Sequence, residues 1–188
     1  MRLIFVSTAI LAGLVSAQSI EPHFTTGGEL MRPQDYREWI YLSSGLGMTY
    51  SENASNAEPR FDNVFVNPDA YRSFLKTGAW PDRTIFILEI RDAIAKGSIN
   101  QGGHYQGGIS GVEAEVKDKR APDGWGYYAF GASGTTAKPL PNSARCLECH
   151  SKNGAVENTF VQFYPALLEI ARGKGVLKAS YMQQANAH

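Results

Sequence analysis

From Gly111 to Asp118 apolar and charged residues alternate, with Val112, Ala114 and Val116 set against Glu113, Glu115 and Lys117. A period of two puts each set on its own face, so the segment predicts a half-buried β-strand. Thr84–Arg91 is denser in apolar residues, with Ile85, Phe86, Ile87, Leu88 and Ile90, and predicts a second strand. Trp125–Phe130 reads as an aromatic strand and Asn63–Val66 as a shorter one. Helical spacing shows elsewhere. Tyr36, Trp39 and Ile40 recur at intervals of three and four behind Pro33, which predicts a first helix over Pro33–Leu42. Asn67-Pro68 supplies a capping residue and a first-turn proline for a helix that turns Tyr71, Phe74 and Leu75 inward and stops at Gly78. The region from Arg145 and the segment Pro165–Arg172 also read as helical, ahead of a Gly/Lys tail.

The rest is punctuation. Ile20–Gly28 is a loose lead-in, and Ser43–Pro59 is a loop rich in Ser, Asn and Gly that contains the chance sequon Asn53-Ala54-Ser55. Asn100–Gly111 carries five glycines and reads as a turn or an irregular strand, while Lys119–Gly124 and Ala132–Ser143 read as turn and loop. No internal repeat is present. The expected fold is α+β: an antiparallel sheet of four or five strands with helices packed on it.

The N-terminus departs from this pattern. Arg2 precedes a continuous apolar run, Leu3–Leu14, followed by the small residues Val15-Ser16-Ala17. This is the layout of a secretory signal peptide over residues 1–17, and the run is too short to span a bilayer. Residues 18–188 then form one domain, working in the periplasm or otherwise outside the cytoplasm. Eighteen Lys and Arg balance eighteen Asp and Glu, which leaves no basic excess for nucleic acid.

The two cysteines, Cys146 and Cys149, would suggest a disulfide in an exported chain. The next residue changes the reading, because Cys146-Leu147-Glu148-Cys149-His150 is C-x-x-C-H, the attachment motif of c-type haem. Two thiols three positions apart reach the vinyl groups of one macrocycle, and the adjacent histidine becomes the iron ligand. A disulfide and a zinc half-site are the alternatives, the second weakened by a single nearby histidine. Only Met182 follows the motif, in a polar tail unsuited to supplying a sixth ligand. His104, in a glycine-rich stretch, is either a surface residue or a sixth ligand. His23 and His188 sit near the termini. Trp39, Trp80, Trp125, Tyr127 and Tyr128 suit core and haem packing.

Several collinear segments between Gly28 and Gly173 resemble the cytochrome P-460 family, which includes the cytochromes c′-beta. They are Tyr36-Arg37-Glu38-Trp39, Val64-Phe65-Val66-Asn67-Pro68 with Tyr71, Lys76-Thr77-Gly78, Pro81-Asp82-Arg83-Thr84, Gly111-Val112-Glu113-Ala114 with Val116-Lys117-Asp118, the haem motif, and Phe163-Tyr164-Pro165. The resemblance implies a homodimeric, mostly β cytochrome with one covalent haem c. His150 would be its metal ligand and the distal side would stay open to nitric oxide, carbon monoxide or a hydroxylamine-like molecule. It also implies that a redox partner protein is a candidate partner. Hydroxylamine-oxidising members link a lysine to the haem edge, and the matching position here is Leu88, which cannot make that link. Lys76 lies off the apolar face of its helix and reads as a solvated lysine. Some oxidising members place an arginine over the iron where this chain has Asp62.

Strand alternation groups Arg60, Asp62 and Val64 on one face and Phe86, Leu88 and Ile90 on one face of the next strand. If both faces meet the haem, Phe86 and Leu88 pack on it and Asp62 is a proton-accepting candidate catalytic group. Otherwise Asp62 caps the neighbouring turn. Three functions follow: a ligand-binding haem protein, an enzyme oxidising hydroxylamine or nitric oxide, and a plain electron carrier. The missing lysine weighs against the second, and the missing sixth ligand against the third.

Overall fold

The structure, a computed structural model, describes residues 20–50, 58–141 and 145–185. The signal peptide, the sequon at Asn53 and His188 lie outside the described residues. A five-stranded antiparallel sheet is formed by β2 (Ile40–Leu46), β3 (Arg60–Val66), β4 (Ile85–Ile94), β5 (Tyr105–Lys117) and β6 (Trp125–Gly131), in that spatial order. β1 (Leu30–Met31) pairs with β7 (Thr136–Ala137) in a small second sheet. Four helices complete the α+β fold: α1 (Pro68–Thr77), α2 (Arg145–Asn153), α3 (Pro165–Lys174) and α4 (Ala179–Ala185).

Alternation along β5 divides the molecule as the sequence predicts. Val112, Ala114 and Val116 are buried on one face, against Ile85, Ile87, Tyr128 and Phe130. The opposite face carries Val66, Phe86, Trp125 and Tyr127 toward α1, α3 and the start of α2. That face is covered too, so Glu115 is buried rather than solvated. The expectation of a half-buried strand fails at this position because a third layer packs over it.

Pro33–Leu42 does not form the expected helix. Only the single 3-10 turn Tyr36–Glu38 forms, and the chain then enters β2. Tertiary contacts override the helical spacing. The Tyr36 hydroxyl donates to Glu89 Oε2 at 2.5 Å, Arg37 reaches the same oxygen at 2.6 Å, and Arg91 reaches the other Glu89 oxygen. Burial raises the Glu89 pKa, but hydrogen bonds from Arg91, Tyr36 and Arg37 outweigh it and hold the carboxyl below its usual range. Ile40–Leu46 meanwhile pairs along β3, with a bulge between Tyr41 and Ser43. The Ser43–Pro59 loop therefore starts later than expected. The glycine-rich stretch becomes strand from Tyr105 onward, and the tail contains α4.

α1 starts at Pro68 and stops before Gly78 as predicted, but Asn67 does not cap it: its side chain accepts from Ile85 N–H at 2.9 Å and donates to Ile20 O at 3.1 Å instead. Ala70 and Phe74 are its buried residues, whereas Leu75 is exposed, because the stripe is centred one step from the expected position. Gly78 adopts φ 74°, a left-handed cap whose N–H donates to Phe74 O at 2.8 Å. A Cβ there would lie 2.9 Å from Lys174 Cβ on α3. Gly78→Ala is expected to cost about 2 kcal/mol in urea unfolding, from backbone strain and this close approach together. An unchanged midpoint and slope would contradict the need for glycine.

Candidate functional site

α2 carries Cys146, Cys149 and His150 but buries none of its residues fully. Both thiols are free. What holds α2 is the segment around it. Gly154 N–H donates to His150 O at 2.9 Å, and a Cβ on Gly154 would lie 2.8 Å from that oxygen and 2.9 Å from Thr159 N, so glycine permits the tight return of the chain. Gln162 Nε2 donates to Asn153 O at 2.7 Å while its Oε1 accepts from Ala155 N–H. Trp80 Nε1 donates to Thr159 Oγ1 at 3.0 Å, and Lys117 Nζ meets Glu157 Oε2 at 2.6 Å. From the far end, Lys178 Nζ donates to Ser151 O at 2.6 Å and its backbone N–H to Ala155 O.

This clamp orients the His150 ring. Nδ1 lies 2.9 Å from Asn158 O and 3.4 Å from Glu115 Oε1. The Tyr127 ring meets the imidazole edge-on with centroids 4.8 Å apart, and Phe160 lies at 4.4 Å. A backbone carbonyl partner makes Nδ1 the protonated nitrogen of the neutral ring, which leaves Nε2 as the nitrogen available to a metal.

Cys146, Cys149 and His150 open onto a cavity of about 630 Å³. The sheet supplies the facing wall. Val64 stands opposite Leu88 and Asp62 opposite Ile90 in the β3–β4 register, and Val66 stands opposite Phe86. Asp62, Val64, Phe86 and Leu88 all line the cavity, whereas Arg60 and Ile90, expected on the same two faces, are not among its lining residues. His104, Lys76 and His23 are exposed and do not line it. Tyr127 and Tyr128 line the cavity, Trp80 and Trp125 belong to the core beside it, and Trp39 belongs to the core across the sheet.

Glu113, Glu115, Tyr50, Phe160 and Met48 are among the lining residues that escaped the sequence reading. The two glutamates were visible as one face of an alternating strand, but nothing local indicated that this face is roofed over Glu115, while Glu113 stays exposed. Burial raises the pKa of Asp62, with Arg60 pulling the other way. Burial and the Asp62 charge raise Glu113, against His150. Glu115 is raised by burial although His150 and Tyr127 stabilise its charged form. Burial disfavours a charged His150, but hydrogen bonding and attraction to Glu115 outweigh it and raise the ring's pKa. Burial also raises the Cys146 thiol.

The donor set fits a haem. Two thiols and an imidazole with a free Nε2 share one apolar, aromatic-walled cavity of ligand size. Among the described residues, no group of three or more His, Cys, Asp or Glu is arranged to hold a bare metal ion, and no helix is long and apolar enough to cross a membrane. Compared with curated proteins, the chain finds no match. Residues 33–161 match the family described as cytochrome P460, a span that runs from the first turn through β2–β6 to Cys146, Cys149, His150 and the loop that holds its ring. The chain therefore belongs to the cytochrome P460 family and is a haem cytochrome.

Proposed function

We propose that the protein is an exported c-type cytochrome with one covalent haem, whose distal iron site binds nitric oxide or a similar small ligand. The observation that carries this is the opening of Cys146, Cys149 and His150 onto the same cavity as Leu88. His150 would hold the iron through Nε2, and Cys146 and Cys149 would hold the macrocycle. The group would supply an iron that binds diatomic ligands and exchanges one electron. The chain's own residues do the rest. Asn158 O fixes the imidazole, and Phe86 and Leu88 exclude water from one wall. Leu88, where crosslinking members carry lysine, leaves the haem edge unmodified, and the family resemblance supports a homodimer.

Spectroscopy of the purified protein tests this reading. The resting ferric form should be high-spin by EPR, and the ferrous form should bind carbon monoxide and nitric oxide. A low-spin His/Met spectrum would overturn it, and Met48 would be the first ligand to substitute, because its thioether lines the cavity whereas His104 does not.

A second reading, oxidation of hydroxylamine or nitric oxide, draws on Asp62 and Glu113. Both face the cavity with raised pKa values and suit proton acceptance. Steady turnover of hydroxylamine with an external oxidant would favour it. Either way, Asp62 should oppose anions and Leu88 should limit approach. Asp62→Asn should tighten azide binding about tenfold by removing one nearby charge in a poorly screened site. In the unaltered protein, azide affinity should fall as pH rises through the raised Asp62 pKa, because the carboxyl becomes charged, and the variant should lose that dependence. Leu88→Ala should speed carbon monoxide binding severalfold. Unchanged ligand kinetics in both variants would place these side chains away from the iron.

A further inference from the structure

Three carboxylates line the cavity: Asp62, Glu113 and Glu115. Glu115 stands apart from Asp62 and Glu113. It is 9% exposed, it sits on β5 in register with Tyr127 on β6, and its Oε1 meets the His150 ring at 3.4 Å. The Tyr127 hydroxyl donates to that same oxygen at 3.2 Å. A buried carboxylate oxygen facing two donors, one of them on the metal-ligating imidazole, is an arrangement that sets how strongly the imidazole donates to a metal.

We infer that Glu115 is a positioning and tuning residue for His150, and that Tyr127 moderates it. Asn158 O alone would orient the ring. Glu115 adds negative charge beside Nδ1–H, draws its proton outward and makes Nε2 the stronger donor. A stronger donor stabilises ferric over ferrous iron. The Tyr127 hydroxyl competes for the same oxygen and weakens this effect. The two residues therefore push the iron in opposite directions, although both touch the same atom.

This rests on His150 being the iron ligand, and the experiment separates the two claims. The unaltered holoprotein, Glu115→Gln and Tyr127→Phe are compared by redox titration and by resonance Raman of the ferrous form. Glutamine keeps the shape and an acceptor oxygen but removes the charge. The ferrous-to-ferric ratio at fixed potential should rise about tenfold in Glu115→Gln, equal to about 59 mV for one electron, and the iron–histidine stretch should move to lower frequency. Tyr127→Phe should move both readouts the opposite way. Simple loosening of the pocket would move both variants in one direction, and that result overturns the inference. So does an unmoved potential in Glu115→Gln. If Glu115→Gln fails to incorporate haem, Tyr127→Phe decides alone through the sign of its shift. If the unaltered protein shows no iron–histidine stretch, the ligand assignment fails, and this inference fails with it.

Discussion

Replacing Cys146 and Cys149 together with serine should give a protein from which acid–acetone extraction removes all haem, whereas the unaltered protein keeps its haem through the same treatment. Both thiols are free, lie three positions apart on α2 and line the cavity with His150. Serine keeps the size and the helix but lacks the soft, nucleophilic sulfur that forms a thioether. The double variant can still bind haem through His150 in neutral buffer, because the cavity walls remain, and harsh extraction separates the two modes of attachment. Haem that survives extraction in the double variant would place the covalent link elsewhere. Intact mass gives a second check: the unaltered chain should carry one haem and no further modification, since Leu88 offers no nitrogen for a third bond.

The other large effect concerns stability. Trp80 is 2% exposed, stacks on Phe74 with centroids 4.1 Å apart, meets Phe86 edge-on at 4.8 Å and donates from Nε1 to Thr159. Trp80→Ala should cost about 4 kcal/mol in urea unfolding, the range for emptying a large aromatic site. The loss should reach beyond the core. Thr159 neighbours Asn158, whose carbonyl fixes His150, so a loosened loop should also broaden the His150-dependent spectrum. Trp80→Phe is the milder change: it keeps one aromatic ring in place but loses the hydrogen bond to Thr159 and part of the packing, and should cost less than the alanine variant, about 2 kcal/mol. A loss below 1 kcal/mol in the alanine variant would show that Trp80 is not what anchors this corner.

The sheet was largely legible because β5 alternates and β4 is dense in apolar, β-branched residues. Val112, Ala114 and Val116 could face only one way, whereas the pairing of Val64 with Leu88 across β3 and β4 is seen only in the structure. β2 was not legible. Tyr36, Trp39 and Ile40 are spaced as in a helix, yet Tyr36 turns to Glu89 on β4 and Ile40 pairs with Val66 on β3. Both partners are distant in sequence, so no local window contains the information. The attachment motif was legible because its chemistry is contiguous, from Cys146 to His150. Glu115 was not, since a glutamate in an alternating strand reads as solvent-facing until α2 and its loop are laid over it. His104 stood as either a surface residue or a ligand because glycine neighbours give it freedom, and in the β4–β5 connection it is exposed and does not line the cavity.

The sparse packing of α2 has a consequence for quality control. The helix that carries the attachment residues buries none of its side chains, and it is held by hydrogen bonds from Gln162 and Lys178 and by the return through Gly154. Most elements of a folded domain prove their completeness by filling their own core. This one lacks that proof until something occupies the cavity beside it. A helix held this way, with no fully buried side chain of its own, is the kind of segment that opens locally and that proteases sample first. If haem fills the cavity beside it, the same helix should become protected, so limited proteolysis should separate filled from unfilled molecules at α2.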